Sequence, residues 1–285
     1  MPKVVIFILF LALAAGMLWW AGAWRFSSQV GRFRRRLWAD AGLPPLPDLD
    51  SDAARALPPP VLAYFQKVLP PGRVRPIIGA ELTQNGFFRL EPESPWLATA
   101  GRQDFVARPP GFFWGGQVQL SSWLDLEGWE RYHARRGEVR GSFLGLVPLL
   151  AHAGPEADRS ELLHWLAGAV WAPSALWPGQ GLSWEAGPDP ESARVILEDG
   201  PLQVSGVFRF RVTGELESFT TEGRCRFGPE GRPEPLPWRM RYGQWQQYQG
   251  WLLPGRAEAA WLPPGGALAH LRVELTSIQY EFSEE

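Results

Sequence analysis

Residues 158–171 read DRSELLHWLAGAVW, and this stretch decides the fold class. Its apolar side chains are spread around most of a helix, so a helix formed here must be covered on more than one side. A flat sheet covers only one side of a helix. The stretch therefore predicts a strongly curved sheet, or an open barrel, with the helix in or over its concave face. The apolar run FLGLVPLL at 143–150 is expected to add a second helical segment there.

On both sides of this stretch the chain consists of short runs in which apolar and polar residues alternate, separated by Gly, Pro or charged turns. In the run 202–213, for example, Val204, Phe208 and Phe210 alternate with polar residues, which predicts one buried and one exposed face. Direct succession of strands with short connections favours antiparallel pairing, because parallel neighbours need long crossovers. The fold class expected is mainly β (α+β), a curved antiparallel sheet or open β-barrel.

The N-terminal region has a different composition from the rest. Residues 4–24 are uncharged over 21 positions, about 30 Å of helix, which is the thickness of a bilayer's hydrocarbon core. They predict a transmembrane helix with Trp19, Trp20 and Trp24 at the interface. A cleaved signal peptide is the alternative, because Ala-Gly-Ala at 21–23 resembles a cleavage site.

The organisation expected from these patterns has five parts. They are a short N-terminus (1–3), the transmembrane helix or uncleaved signal anchor (4–24), a basic juxtamembrane segment (25–41), a Pro-rich linker (42–57) and a single mainly β domain (58–285).

Charge predicts the orientation in the membrane. Lys3 precedes the apolar run, whereas five arginines follow it within twelve residues, and basic flanks stay on the cytoplasmic side. A single-pass membrane protein with a cytoplasmic domain is therefore expected, and a periplasmic or extracellular domain is the alternative. The basic segment either lies on an anionic lipid surface or is a plain juxtamembrane flank.

Composition excludes several classes of function. With 28 Lys and Arg against 30 Asp and Glu, the net charge is -2, which does not favour nucleic-acid binding, and 45% hydrophobic residues exclude a disordered chain. The single cysteine, Cys225, cannot form an internal disulfide and is expected to be a buried strand thiol. No nucleophile or phosphate-loop motif occurs, so no enzyme class is predicted. No metal or cofactor is expected, and the oligomeric state stays open.

Several motifs in order carry a resemblance to a known family. They are QNGFFR (84–89), PPGFFW (109–114), LGLVP (144–148), ELLHWLAGAVWAPSAL (161–176) and Pro237-Trp238. With these motifs the segment 57–282 resembles a bacterial family classed as a domain of unknown function. In that family the central helix carries an Arg-Tyr pair where this chain has His164 and Trp165, and a second Glu where it has Gly168. The expected fold is also loosely similar to that of the lipoprotein-localisation carriers, whose concave face holds acyl chains.

Glu161 and His164 are the first candidates for chemistry, either as acid and base or as head-group ligands. Their spacing of three residues places a carboxylate and an imidazole on one helix face, as in metal sites that also require further carboxylates. A structural alternative is a capping box, with Asp158 as N-cap and Glu161 reaching back to it. Asp125 and Glu127, two apart on one strand face, are a weaker acid/base pair.

Two further sets of residues are candidates for binding. Alternating arginines on neighbouring strands either form a basic face for an anionic head group or pair with Glu215, Glu217 and Glu222. Those arginines chosen as head-group candidates are Arg209, Arg239 and Arg241. An apolar ligand pocket, or alternatively a packed aromatic core, is expected from the large side chains around the central helix. The candidates for that pocket are Trp114, Leu162, Trp165, Leu166, Trp171, Trp177, Phe208, Phe210 and Trp238.

Three functions follow from these observations. The first is a non-catalytic, membrane-anchored binding module for a lipid or acyl ligand. The second is an enzyme acting on a hydrophobic or membrane substrate. The third is a structural or partner-binding membrane protein with a filled core. A cavity between the helix and the sheet is the feature that discriminates among them.

Overall fold

The computed structural model describes residues 2–45, 47–70, 74–121, 124–143, 145–227 and 232–283. The helices are α1 (Pro2–Ala39), α2 (Asp52–Arg55), α3 (Pro59–Val68) and α4 (Pro155–Gly168), and α4 is followed by two 3-10 turns (Ala169–Trp171 and Pro173–Leu176). The strands are β1 (Ile77–Phe88), β2 (Leu97–Val106), β3 (Gly111–Ser121), β4 (Leu124–His133), β5 (Arg136–Phe143), β6 (Val147–Ala153), β7 (Leu182–Ala186), β8 (Ser192–Asp199), β9 (Leu202–Phe210), β10 (Leu216–Thr221), β11 (Cys225–Phe227), β12 (Pro233–Pro235), β13 (Trp238–Tyr248), β14 (Trp251–Trp261) and β15 (Leu268–Phe282).

Within these residues, thirteen strands form one antiparallel sheet in the order β6-β5-β4-β3-β2-β1-β15-β14-β13-β10-β9-β8-β7. Most neighbours follow each other in sequence, as short connections require, and the pair β1–β15 joins the two halves. The two outer strands, β6 and β7, do not pair with each other in the described part of the chain, so the sheet is not closed. A mainly β fold with a large, open antiparallel sheet is thus confirmed.

Helix α4 lies on one face of this sheet, which we call the inner face. It contacts β4 and β5 as well as β9, although seven strands lie between β4 and β9 in the sheet order. The sheet must therefore curve around the helix. Two hydrogen bonds join α4 to strands on opposite sides of it. Trp165 Nε1 donates to the Val106 carbonyl of β2 (2.9 Å), and the Tyr242 hydroxyl of β13 donates to the Ala167 carbonyl (2.8 Å).

The expectation of a second helical segment at 143–150 is wrong. Leu144 lies outside the described residues, and Val147–Ala153 form the edge strand β6, paired with β5. The side chains of Val147 and Leu149 are exposed, and Pro148 occupies a strand position, which edge strands tolerate because one side of the ladder is unpaired. A continuous apolar run does not by itself distinguish a helix from a strand.

Helix α1 continues without a break from the apolar run into the basic segment, which the sequence analysis had divided at residue 24. Its second half packs on the opposite face of the sheet, which we call the outer face. There Leu37 is buried against Val106, Phe113 and Trp129. Strands β2 and β3 are therefore covered by α4 on one side and by α1 on the other.

Large apolar side chains of the first half of α1, among them Val4, Leu13 and Trp24, are exposed. Over the part of the chain that the structure describes, no helix combines the length and the apolar character needed to cross a bilayer. The transmembrane helix expected at 4–24 therefore has no support from the structure.

The Pro-rich stretch 42–57 lies against the β domain. The Gly42 N–H donates to the Arg108 carbonyl (2.6 Å), and the short helix α2 is capped by Ser51, whose hydroxyl accepts from the Ala54 N–H. Ala54 and Leu57 belong to the main core. Cys225 is a free, buried thiol in β11, as the alternation of residues around it predicts.

Candidate functional site

The start of α4 fixes the position of Glu161 and His164. The helix begins at Pro155 after Gly154, whose φ of 109° suits a residue without a side chain. Asp158 is therefore the fourth residue of the helix, and its Oδ1 accepts a hydrogen bond from the Gly137 N–H of β5 (2.8 Å). The expected capping box is wrong, and Glu161 is free to face the sheet together with His164.

The Glu161–His164 pair meets two further charged side chains on the inner face. Nδ1 of His164 lies 3.0 Å from Oε2 of Glu130 and 3.4 Å from Oε2 of Glu161. Nη2 of Arg224 lies 3.7 Å from Oε1 of Glu161 and 3.3 Å from the same imidazole nitrogen. We call these four residues the Glu-His-Arg cluster. It combines two carboxylates, one imidazole and one guanidinium.

Sequence reasoning did not find Glu130 or Arg224. Glu130 is on β4, where it faces Trp114 of β3 across the ladder, and Arg224 follows β10. The sequence contained one signal for Glu130. Alternation along β4 puts it on the same face as the buried Tyr132, and a carboxylate on a buried face requires a partner. The partner itself is distant in sequence. Asp125 and Glu127 point to the outer face instead, and burial together with the charge of Asp125 raises the pKa of Glu127.

Aromatic rings surround the Glu-His-Arg cluster. The Arg224 guanidinium lies 4.4 Å from the ring centroid of Trp238 and 5.9 Å from that of Trp261. Nε1 of Trp238 donates to Nε2 of His270 (3.1 Å), which stacks on Trp261 with the centroids 5.5 Å apart. These contacts hold Arg224 in place through cation–π attraction.

The charge state of the cluster follows from its surroundings. Desolvation and the charge of Arg224 act to lower the pKa of His164, but interactions with Glu130 and Glu161 outweigh them, so this pKa is raised. Desolvation acts to raise the pKa of Glu130, yet His164 and Arg224 outweigh it and the pKa is lowered. Burial lowers the pKa of His270 to about 3. His270 is thus neutral near neutral pH, whereas the two carboxylates favour the protonated form of His164.

Most of the aromatic and aliphatic candidates lie in the packed core. Leu162, Trp165 and Leu166 of α4 have no exposed surface, and the Trp165 ring stacks on Phe105 with the centroids 5.3 Å apart. The other buried candidates are Trp171, Trp177, Phe208, Phe210 and Trp238. Of the nine candidates, the structure brings Trp238 to the Glu-His-Arg cluster, and it places the partly exposed Trp114 opposite Glu130.

The three arginine candidates lie on the outer face, away from α4. Arg239 and Arg241 alternate along β13 with buried residues that point inward. Burial, and then the charge of Arg241, lower the pKa of Arg239. Arg209 pairs with Asp189 and Glu191 rather than with the glutamates expected from the sequence.

Residues that the structure describes form two neighbouring grooves on the outer face. The first, which we call the α1 groove, has a volume of about 400 Å³ and lies between α1 and strands β1 to β3. Its walls are formed by Phe26, Val30, Arg34, Asn85, Ala100, Gly101, Arg102, Asp104, Phe113, Gly115, Gly116 and Gln117. The second, of about 500 Å³, lies beside it, and Asn85, Ala100 and Gln117 line both. Neither groove includes a residue of α4.

The α1 groove owes its shape to an ion-pair network. Asp104, whose side chain is 1% exposed, accepts hydrogen bonds from Nε (2.5 Å) and Nη2 (2.9 Å) of Arg34 and from Nε1 of Trp38 (2.9 Å). Arg34 also reaches Glu81 (3.0 Å), which pairs in turn with Arg102. These bonds fix α1 on the sheet at one end of the groove, and Phe26 and Val30 line its apolar part.

Comparisons with known proteins place the chain in a family and give weak structural likenesses. A LolA superfamily protein from Nitrosomonas europaea is 8% identical with a TM-score of 0.41, over 78% of this chain and 92% of that one. A beta-barrel-like protein of the domain of unknown function DUF1849 from Brucella abortus is 9% identical with a TM-score of 0.23, over 73% and 100%. No curated protein matches the chain. The model of the family of unknown function DUF6544 matches residues 48–273, most of the chain, and the chain belongs to this family.

Proposed function

We propose that the protein is a membrane-associated, non-catalytic binding module for a lipid or acyl ligand, and that the ligand occupies the α1 groove. The observation that carries this proposal is the position of the groove, where the exposed apolar half of α1 ends and the half docked on the sheet begins. Its volume is in the range of small-molecule sites. The inner core, where the sequence analysis expected a pocket, is filled with buried side chains.

The lining of the α1 groove fits an elongated apolar ligand. Phe26 and Val30 of α1 face Phe113 and Gly115 of β3, and the glycine leaves room that a side chain would fill. A β-carbon at position 115 would lie 3.0 Å from the Phe113 ring and 3.8 Å from Val30. The three charged side chains of the wall, Arg34, Arg102 and Asp104, are all in ion pairs, so the free surface offered to a ligand is mainly apolar.

The membrane is the partner proposed for the first half of α1. The large apolar side chains that the structure describes in this half, including Trp19, Trp20 and Trp24, are exposed. A contiguous apolar surface of this kind marks an interaction site. The arginines that follow favour an anionic lipid surface and a domain on the cytoplasmic side. Extraction of native membranes with salt, alkali and detergent tests the association. Release of the chain by salt alone would contradict an apolar attachment.

The groove is tested by extracting the full chain in a mild detergent and identifying retained lipids by mass spectrometry. Val30→Trp would fill the groove and is expected to remove the retained lipid. Ser27→Trp, on the exposed side of the same helix, is the matched control and is expected to keep it. A wild-type chain without retained lipid, or equal retention by both variants, would contradict the proposal. Absence of retained lipid in the wild-type chain would favour a partner-binding role with a filled core.

A second candidate function, an enzyme acting on a hydrophobic or membrane substrate, is favoured by one observation. Glu130, Glu161, His164 and Arg224 come from three separate parts of the chain and converge on one point. An imidazole close to two carboxylates is chemically suited to proton transfer. Hydrolysis of a panel of lipid esters by the wild-type chain, and its loss in His164→Gln, is the corresponding test.

A further inference from the structure

We propose that Glu130, Glu161 and His164 form a binding site for a divalent transition-metal ion of the zinc and manganese class. The site lies on the inner face of the sheet, opposite to the α1 groove, so it is independent of the ligand proposed there. Sequence reasoning expected no metal, because the Glu-x-x-His pair of α4 had no further carboxylate near it. The fold supplies that carboxylate from β4.

The distances suit a common ion. One ligand atom from each of the three side chains lies within 4.8 Å of the other two. Zinc binds imidazole nitrogen and carboxylate oxygen at about 2.0–2.2 Å, so ligand atoms at neighbouring corners of a tetrahedron are about 3.4 Å apart. The Nδ1–Oε2 distances of 3.0 Å to Glu130 and 3.4 Å to Glu161 are close to this spacing.

A second observation points to a ligand in the same place. The Glu161 side chain is 2% exposed, and its Oε2 is buried without a hydrogen-bond partner. Oε2 of Glu130 is buried and lacks a hydrogen-bond partner as well. Although both oxygens lie near His164, neither is aligned with a donor. A buried carboxylate oxygen left in this condition is costly, and a bound cation satisfies it.

The donor set selects the class of metal. Mg²⁺ and Ca²⁺ are bound almost entirely by oxygen, whereas an imidazole with two carboxylates suits zinc, manganese or iron. Three protein ligands also leave a coordination position open, as in catalytic rather than structural zinc sites. The rings of Trp238 and Trp261 lie beside the cluster and would limit access of water to that position.

Arg224 competes with the metal. Its guanidinium lies 3.3 Å from the His164 nitrogen and 3.7 Å from a Glu161 oxygen, so it supplies positive charge where the ion would bind. Binding of a divalent ion requires this group to move away along the Trp238 ring. Removal of the Arg224 charge should therefore increase the affinity for metal, whereas removal of any of the three ligands should decrease it.

The test is titration of the full chain, stripped of metal with a chelator, with Zn²⁺, Mn²⁺ and Mg²⁺ by calorimetry. We expect one Zn²⁺ site, weaker Mn²⁺ binding and no saturable Mg²⁺ binding. Glu161→Gln and His164→Gln should weaken Zn²⁺ binding by more than about tenfold, because loss of a group that only supports a ligand already costs about that much. Arg224→Gln should strengthen it. His133→Gln, which alters a histidine paired with Asp40 at the surface, is the matched control and should leave binding unchanged.

X-ray absorption at the zinc edge of the wild-type chain gives a readout that does not depend on variants that fold poorly. It should show nitrogen and oxygen ligands only. Sulfur ligation would overturn the assignment, because Cys225 would then be involved. Absence of a stoichiometric Zn²⁺ site, or equal binding by wild type and Glu161→Gln, would overturn it too. Retained lipid in the α1 groove would be unaffected by either result.

Discussion

Replacement of Arg34 by glutamine should weaken the docking of α1 on the outer face of the sheet. Arg34 donates two hydrogen bonds to Asp104, whose side chain is 1% exposed, and the only other side-chain donor described for that carboxylate is Trp38. A buried carboxylate that loses its charged partner is destabilised because its charge is left without full compensation. The variant therefore tests whether this ion pair, rather than apolar packing alone, holds the helix.

The magnitude lies between two limits. Removal of one partner of a buried ion pair costs about 3–5 kcal/mol, whereas an exposed pair contributes about 0–1 kcal/mol. The Asp104 side chain is buried, but that of Arg34 is 27% exposed, and Trp38 still donates to the carboxylate. We expect a loss of about 2–3 kcal/mol of docking free energy, which corresponds to roughly a 30- to 150-fold increase in the undocked population.

Hydrogen exchange of backbone amides in residues 26–38 of α1 is the appropriate assay, because undocking is a local opening. Exchange at these amides should accelerate by the same factor, while amides of β13 and β14 should be unaffected. The matched control is Arg36→Gln, which removes an exposed arginine of the same helix turn. If Arg34→Gln and Arg36→Gln exchange at equal rates, the ion pair does not hold α1, and apolar packing alone keeps the helix on the sheet.

Three further perturbations test the inner face and the sheet, each measured by urea unfolding with tryptophan fluorescence. Gly137→Ala should cost about 1–3 kcal/mol, because the new β-carbon would lie 2.2 Å from the Ala157 carbonyl oxygen of α4. Trp165→Phe should cost about 2–4 kcal/mol, because it leaves a cavity and removes the hydrogen bond to the Val106 carbonyl. Desolvation acts to raise the pKa of Glu138, but the hydrogen bonds and charges of Arg131 and Arg140 outweigh it, so this pKa is lowered in the folded protein. The carboxylate therefore stabilises the fold at pH values above its unfolded pKa. This stabilisation is lost as the pH falls through the lowered pKa of the folded state. Glu138→Gln should therefore lower the free energy of unfolding at pH 7 and leave it almost unchanged in strong acid.

Each of these variants has a counterpart elsewhere in the chain. Gly243→Ala adds a β-carbon that meets no atom within 4 Å, so it should not reproduce the effect of Gly137→Ala. Trp184→Phe removes a similar indole bond from a half-buried ring and should cost less than Trp165→Phe. Glu93→Gln changes an exposed carboxylate and is the control for Glu138→Gln. If both variants change the free energy of unfolding with the same dependence on pH, the ion-pair explanation is contradicted.

The parts of the fold that depend on local pattern were predictable. The alternation in 202–213 predicted β9, whose residues Val204, Phe208 and Phe210 are buried on one face. The all-round apolar character of 158–171 predicted that α4 would be covered from more than one side, and the sheet curves around it. The helix predicted at 143–150 was wrong because the apolar residues of this run have no period. The pairing of Val147–Ala153 with β5 at the sheet edge determines the structure there.

The Glu-His-Arg cluster was predictable only in part, because its residues come from elements that are distant in sequence. Helical spacing placed Glu161 and His164 together, since neighbours three apart share a face. Their partners Glu130 and Arg224 come from β4 and from the turn after β10, and only the curvature of the sheet brings these elements to the same side of α4. No local pattern encodes that curvature at the level of single side chains.

Alternating side chains of strand β2 contact a different helix on each face of the sheet. Asp104 points outward and binds Arg34 and Trp38 of α1, whereas the next residue, Phe105, points inward and stacks on Trp165 of α4. A slip of one residue in the register of β2 would bury the carboxylate against α4 and expose the ring. The docking of α1 and the packing of α4 therefore depend on the same register. For this reason an insertion in β2 should abolish the α1 groove and the Glu-His-Arg cluster together, although the sheet separates them.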